Sequence, residues 1–211
     1  MHPKTQWLTG FNSIHNAIQA AKRTHKCLFY AEDLDDAAQR TLLKACYKHS
    51  IPTQNLLSSK ALQKKAQQPD DYIQAKAALL TGELPVGDAR KLESLEPGLW
   101  LALHHPQNPQ NLGALLRTAY FLGTKGVLLT QKQTAPMNSE VSRASAGALE
   151  VDHIWMIPGS MPLWLESINS KCPIHLIGTS CGFSSENAIV KSLQDIITEQ
   201  SQKAQSCARI L

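Results

Sequence analysis

Asn108-Pro109-Gln110-Asn111-Leu112-Gly113-Ala114-Leu115-Leu116-Arg117-Thr118-Ala119-Tyr120-Phe121-Leu122-Gly123 is the stretch that decides how the chain is read. It directly follows an apolar run at residues 99–103, so a strand is expected to hand over to a helix across residues 111–122. Pro106 and Pro109 disfavour helix in the residues before them, and Asn111 is expected to cap the helix by accepting a backbone N–H bond. The free N–H groups of the first turn then suit an anion. Gly113 and Arg117 lie four residues apart and share a face; the glycine leaves room for close approach and the guanidinium reaches the same spot, which suits a phosphate or a ribose. The alternative is that Gly113 permits tight packing on the sheet and Arg117 pairs with a carboxylate.

Working outward, residues 126–130 and 174–177 read as further strands, and strands alternating with helices imply a mainly parallel sheet. Upstream, residues 81–98 mix Gly82, Pro85, Gly87, Pro97 and Gly98 with charge, the composition of a linker. Before it, Ile14, Ala17, Ile18 and Ala21 mark a helix that starts near Asn12 and runs to residue 22, followed by a short apolar strand at 27–30 and a second helix at 33–48. Residues 51–53 begin another extended piece, and Ser58 is placed to cap a short helix through residue 67. The expected fold is therefore α/β. A small unit at 1–80 is followed by the linker and by a parallel-sheet unit at 99–211.

The chain has 211 residues, 43% of them hydrophobic, enough for one large domain or two modest ones. No window approaches the roughly 18 uninterrupted apolar residues of a membrane-spanning helix, and the amino terminus lacks a charged-then-apolar signal pattern. The 5 cysteines form no C-x-x-C pair and the 8 histidines no H-x-x-x-H spacing, so neither a disulfide framework nor a metal site is expected. Adjacent His104 and His105 are expected on opposite sides of an extended chain. Charge is uneven: residues 1–80 hold 11 Lys and Arg against 6 Asp and Glu, a net of +5, within a whole-chain net of +4. Such a half can attract a polyanion, or can be a solvated helical surface.

The stretch 108–123 resembles the first motif of the SpoU (TrmH-type) RNA 2′-O-ribose methyltransferases, of the SPOUT superfamily, whose form is D/N-P-x-N-x-G-A-x-x-R-T/S-A-x-x-x-G. Every fixed position is matched, and about nine constrained positions in one window are far more specific than a lone glycine motif. Val141-Ser142-Arg143-Ala144-Ser145-Ala146-Gly147-Ala148-Leu149-Glu150 resembles the family's S-A-G-A-x-E element. Ile177-Gly178-Thr179-Ser180 resembles the strand end where the family begins to contact its cofactor. Residues 8–80 resemble the ribosomal-protein-like RNA-binding domain found at the family's amino end. Among subgroups, the mitochondrial large-subunit rRNA guanosine ribose methyltransferases are the most similar.

The resemblance implies S-adenosylmethionine as cofactor, RNA (here rRNA) as partner and a homodimer in a complete version. It also implies a mitochondrial location, with cytoplasm as the alternative. It assigns Arg117 and Asn111 to catalysis, Gly178 and Thr179 to the cofactor and Arg143 to RNA. Arginine is a poor base because its guanidinium stays protonated, so Arg117 is read as gripping a phosphate and orienting the attacking hydroxyl. The family's G-N-E-x-x-G and I-P-M-x-x-x-x-S-L-N-V-S-V-A segments do not occur in these 211 residues, although Ile210-Leu211 resembles the opening of the strand that leads into the former. The expectation is a carboxy-terminally incomplete methyltransferase domain that cannot close the family's trefoil knot and encodes only the Gly178-Thr179 corner of the cofactor pocket. Residues 188–197 are read as a covering helix. A catalytically dead RNA-binding module is the alternative function. A nucleotide-binding dehydrogenase is disfavoured, because no G-x-G-x-x-G follows a strand.

Overall fold

A computed structural model describes residues 5–66, 75–178 and 208–210. The chain builds two sheets. The first orders β1 (Thr5–Thr9), β4 (Ala77–Gly82), β2 (His25–Ala31) and β3 (Thr53–Leu56), with β4 antiparallel to both neighbours and β2 parallel to β3. Helices α1 (Phe11–Ala20) and α2 (Asp36–Lys48) cover one face, where Leu8, Ile14, Ile18, Leu28, Leu42 and Leu79 form the core. A short α3 (Ser59–Lys65) lies with Phe29 and Leu62 in a smaller cluster. Ser58 caps α3 as its position predicts, accepting from the Ala61 N–H at 3.3 Å. Helix α1 stops at Ala20, two residues short of expectation, because Ala21 turns left-handed at φ 49° and returns its N–H to the Ala17 carbonyl.

The second sheet runs β5 (Gly87–Asp88), β8 (Ile154–Ile157), β7 (Gly126–Thr130), β6 (Gly98–Leu103), β10 (Ala208–Ile210), β9 (Ile174–Leu176), with every described pairing parallel. A strand therefore does occupy the position where Ile210 suggests one, and it sits between β6 and β9. Strand β7 is buried along its length, as a strand covered on both faces must be. Val127 and Leu129 pack with α4 (Pro109–Phe121), α5 (Ser139–Ala144) and α6 (Ala148–Val151) through Leu112, Leu116, Val141 and Leu149. Leu128, one residue out of phase, packs on the opposite face with Trp100 and with Met161 and Ile168 of α7 (Met161–Lys171). Within the stretch read as a linker, β5 pairs with β8, a 3-10 turn covers Ala89–Lys91, and Ala89 and Leu95 are buried in the α7 cluster. The expected helix over 188–197 lies outside the described residues.

Candidate active site

The six-stranded parallel sheet and helix α4 place the site residues. The cap of α4 is Asn108, not Asn111: the Asn108 Oδ1 accepts from the N–H groups of Gln110 (2.9 Å) and Asn111 (3.0 Å). Pro109 takes the first helical position, where it has no N–H to satisfy and its fixed φ already suits a helix. Asparagine followed by proline is the sequence signal for this start. Asn111 thus sits exposed in the first turn, its N–H already bound.

The loop before the cap is pinned. His105 adopts φ 54°, and its N–H donates to Thr130 Oγ1 at 2.9 Å, while the Pro106 carbonyl accepts from Ala135 at 2.8 Å. These bonds tie the end of β6 to the end of β7. The left-handed turn also brings the His104 and His105 rings into a stack at 3.8 Å, which corrects the expectation that they diverge along an extended chain. Because the strands are parallel, the β6 and β7 loops and Gly178, just beyond β9, share the carboxyl edge of the sheet, the usual ligand edge of open α/β sheets. A Cβ built on Gly178 would meet no described residue within 4 Å. Thr179 lies outside the described residues.

Gly113 and Arg117 do not share a ligand spot. A Cβ on Gly113 would collide with the Ala144 side chain and come within 2.9 Å of the Ala144 carbonyl carbon and the Ser145 nitrogen. The glycine lets α4 press on α5, and no room remains there for a phosphate. Tight packing was the alternative reading, although the partner is a helix and not the sheet. Arg117 is exposed on α4 and makes no hydrogen bond or ion pair with a described residue.

Arg143, at the end of α5, is half-buried. It lines a cleft of about 320 Å³ together with Thr9, Phe11, Leu34 and Lys76. Deeper in the same junction, Glu150 is buried against Arg23: Nε donates to Oε2 at 2.7 Å and one terminal nitrogen to Oε1 at 3.0 Å. Lys22 Nζ donates to the carbonyls of Val151 (2.8 Å) and Asp152 (2.6 Å). Burial pushes the Asp152 carboxyl up to about 7, only partly opposed by the Lys22 charge, and one of its oxygens has no partner among the described residues. Burial likewise lowers Lys22 and His25. Sequence spacing gave no hint of this cluster, whose partners stand 127 and more positions apart. Among the described residues no three His, Cys, Asp or Glu side chains gather as a metal group, and no helix is long and apolar enough to cross a membrane.

The model of the SpoU rRNA Methylase family matches residues 98–203, half of the 211-residue chain. The chain belongs to the SpoU rRNA methylase family. It is 29% identical over 189 residues to mitochondrial rRNA methyltransferase 1 of Schizosaccharomyces pombe, covering 78% of this chain and 62% of that protein. It is 47% identical over 53 residues to mitochondrial rRNA methyltransferase 1 of Homo sapiens, which covers 25% of this chain and 15% of that one. A putative TrmH family tRNA/rRNA methyltransferase of Bacillus subtilis is 24% identical over 71% of this chain and 60% of its own. The chain thus spans at most about three fifths of the length of these relatives. Among solved structures, an rRNA methyltransferase from Sinorhizobium meliloti superposes with a TM-score of 0.67 at 14% identity, over 99% of this chain and 71% of that chain. The AdoMet-bound rRNA methyltransferase of that organism gives 0.61 at 16%, over 98% and 78%. At these identities the likeness is one of fold, and this SpoU chain has the family's parallel-sheet architecture.

Proposed function

We propose that the protein to which this SpoU chain belongs transfers a methyl group to a ribose 2′-hydroxyl of RNA, specifically a guanosine of rRNA. The observation that carries the reading is Arg117, exposed on the first-motif helix of the parallel sheet. An exposed cation that pairs with no described residue is available to a ligand. Its guanidinium, always protonated, grips the phosphate beside the target ribose and orients the hydroxyl for attack. Asn111, in the first turn, offers its side chain to the same substrate backbone. Arg143 extends the RNA contact into the cleft that it shares with Lys76.

S-adenosylmethionine, when bound, supplies an electrophilic methyl group. The described residues fit such a cofactor at one corner, where Gly178 lies at the carboxyl edge with no described residue within 4 Å of its Cβ position, and Gly178 with Thr179 would hold it. Residues 1–80 act as the RNA-binding unit, joined by 81–98 to the methyltransferase unit at 99–211, and the complete protein works as a homodimer. A mitochondrial location is supported by the names of the relatives. One observation favours the second reading, a non-catalytic RNA-binding module: the net charge of +5 is confined to residues 1–80.

The test is methyl incorporation into rRNA transcripts by the protein at the full length of its relatives, with ribose methylation mapped. Arg117→Ala is expected to abolish transfer while S-adenosylmethionine affinity, measured by calorimetry, stays nearly unchanged. Turnover like that of the unmodified protein removes Arg117 from its role. RNA binding by the unmodified protein without any transfer favours the second reading.

A further inference from the structure

Apart from the RNA contact of Arg143, the second family element, residues 141–150, has no part in the function proposed above. Three of its residues, at spacings of four and three, nevertheless meet the first-sheet unit. A Cβ on Gly10 would lie 3.8 Å from the Arg143 Cγ, so the arginine stem runs against the entry to α1. Gly147, left-handed at φ 83°, is pressed on α1: a Cβ there would stand 2.7 Å from the Asn12 carbonyl oxygen and 2.8 Å from the Asn16 amide nitrogen. Glu150 holds both sides of the Arg23 fork, and the remaining terminal nitrogen of Arg23 donates to Gln6 Oε1 (3.0 Å) and the Gly82 carbonyl (3.1 Å). Both side chains are removed from water.

The first-sheet unit contributes its half through one turn. The left-handed Ala21 ends α1 and delivers Lys22 onto the Val151 and Asp152 carbonyls and Arg23 onto Glu150. A buried ion pair adds little net stability compared with apolar residues of the same volume, because desolvating both charges costs about what their attraction returns. What a two-bond fork provides is direction: it is satisfied in one relative orientation of the carboxylate and guanidinium planes.

We propose that residues 141–152 are a docking face that fixes the first-sheet unit rigidly on the second sheet, so that RNA held by the basic unit reaches the Arg117 helix in one orientation. The presenting role rests on the methyltransferase reading. The docking itself does not.

The experiment uses the 211-residue chain, unmodified and as Arg23→Met/Glu150→Leu, which removes the fork without leaving a lone buried charge. Hydrogen exchange is followed in residues 83–97, and affinity for a structured rRNA transcript is measured on the same samples. Exchange in 83–97 is expected to rise at least about tenfold in the double variant while β2 and β7 stay protected. RNA affinity is expected to fall about tenfold or more as the two units lose their shared grip. Should the double variant lose protection in β2 or β7, Arg23→Lys serves in its place, keeping the charge but not the fork, with the same changes at a few-fold size. Unchanged exchange in 83–97 overturns the docking, whatever RNA does. Raised exchange with unchanged RNA affinity overturns the presenting role. An unmodified chain that binds no RNA overturns the methyltransferase reading and the presenting role together, while exchange still reports the docking.

Discussion

The two family elements of this chain use charge in opposite ways. On α4, Arg117 stands in solvent with no described partner, and the buried residues around it are apolar or glycine. Across the α5–α6 corner, Glu150 is 1% exposed and spends its carboxylate on Arg23 of the first-sheet unit. The lesson is that a family residue can be kept for the chain's own assembly as well as for an outside ligand. Burial and partner tell which, since an ion that already has its hydrogen bonds met in the interior has nothing left to offer.

That contrast can be broken most directly at Glu150. Glu150→Ala strands the Arg23 guanidinium out of water and is expected to cost about 3–5 kcal/mol in chemical denaturation. A loss below about 1 kcal/mol would place Glu150 among ordinary surface ion pairs. Next in size is Gly113→Ala, where a methyl group would strike the Ala144 side chain and backbone. An alanine gains about 1 kcal/mol of helix propensity, but overpacking against backbone costs about 1–3 kcal/mol, so a net loss is expected; a gain in the same denaturation experiment would show that α4 and α5 can part.

Asp152 sharpens the electrostatic side. Its carboxyl titrates near 7 in the folded chain against an ordinary 3.8, so between those values the folded state holds a proton that the unfolded chain has released. Stability from this group therefore falls as pH rises from about 4 to about 7 and levels off above. Asp152→Asn is expected to lower Tm less than the unmodified chain does on going from pH 5 to pH 8; parallel curves would mean that Asp152 stays ionised throughout. The smallest effect belongs to the other element. Arg117→Ala is expected to change folding stability by less than about 0.5 kcal/mol, as for a surface residue that pairs with no described residue. A larger loss in thermal denaturation would mean that Arg117 serves the fold after all.

Much of this was legible in the sequence, for local reasons. The helical spacing of Ile14, Ala17 and Ile18, the strand at 126–130 and the Ser58 cap each depend on residues within one or two turns, and each stands as read. The nine fixed positions of the first motif identified the family because they too lie in one window. Errors began where the next contact decided: Asn108 displaced Asn111 as cap because Pro109 suits only the first helical position, and His105 turned because Thr130 was there to receive its N–H. Strands β1 and β8 and helix α7 are found only in the structure.

What the sequence determined by itself is therefore a part of the run of helices and strands, such as α1, α2, α4 and β7, and the family, since hydrophobic period, capping and motif are properties of neighbouring residues. Only the tertiary structure decided that β10 lies between β6 and β9, that α5 fills the space over Gly113, and that Arg23 and Glu150, 127 positions apart, close on each other. Those outcomes depend on which surfaces bury each other best and on whether every buried charge finds its partner, and no spacing along the chain records either.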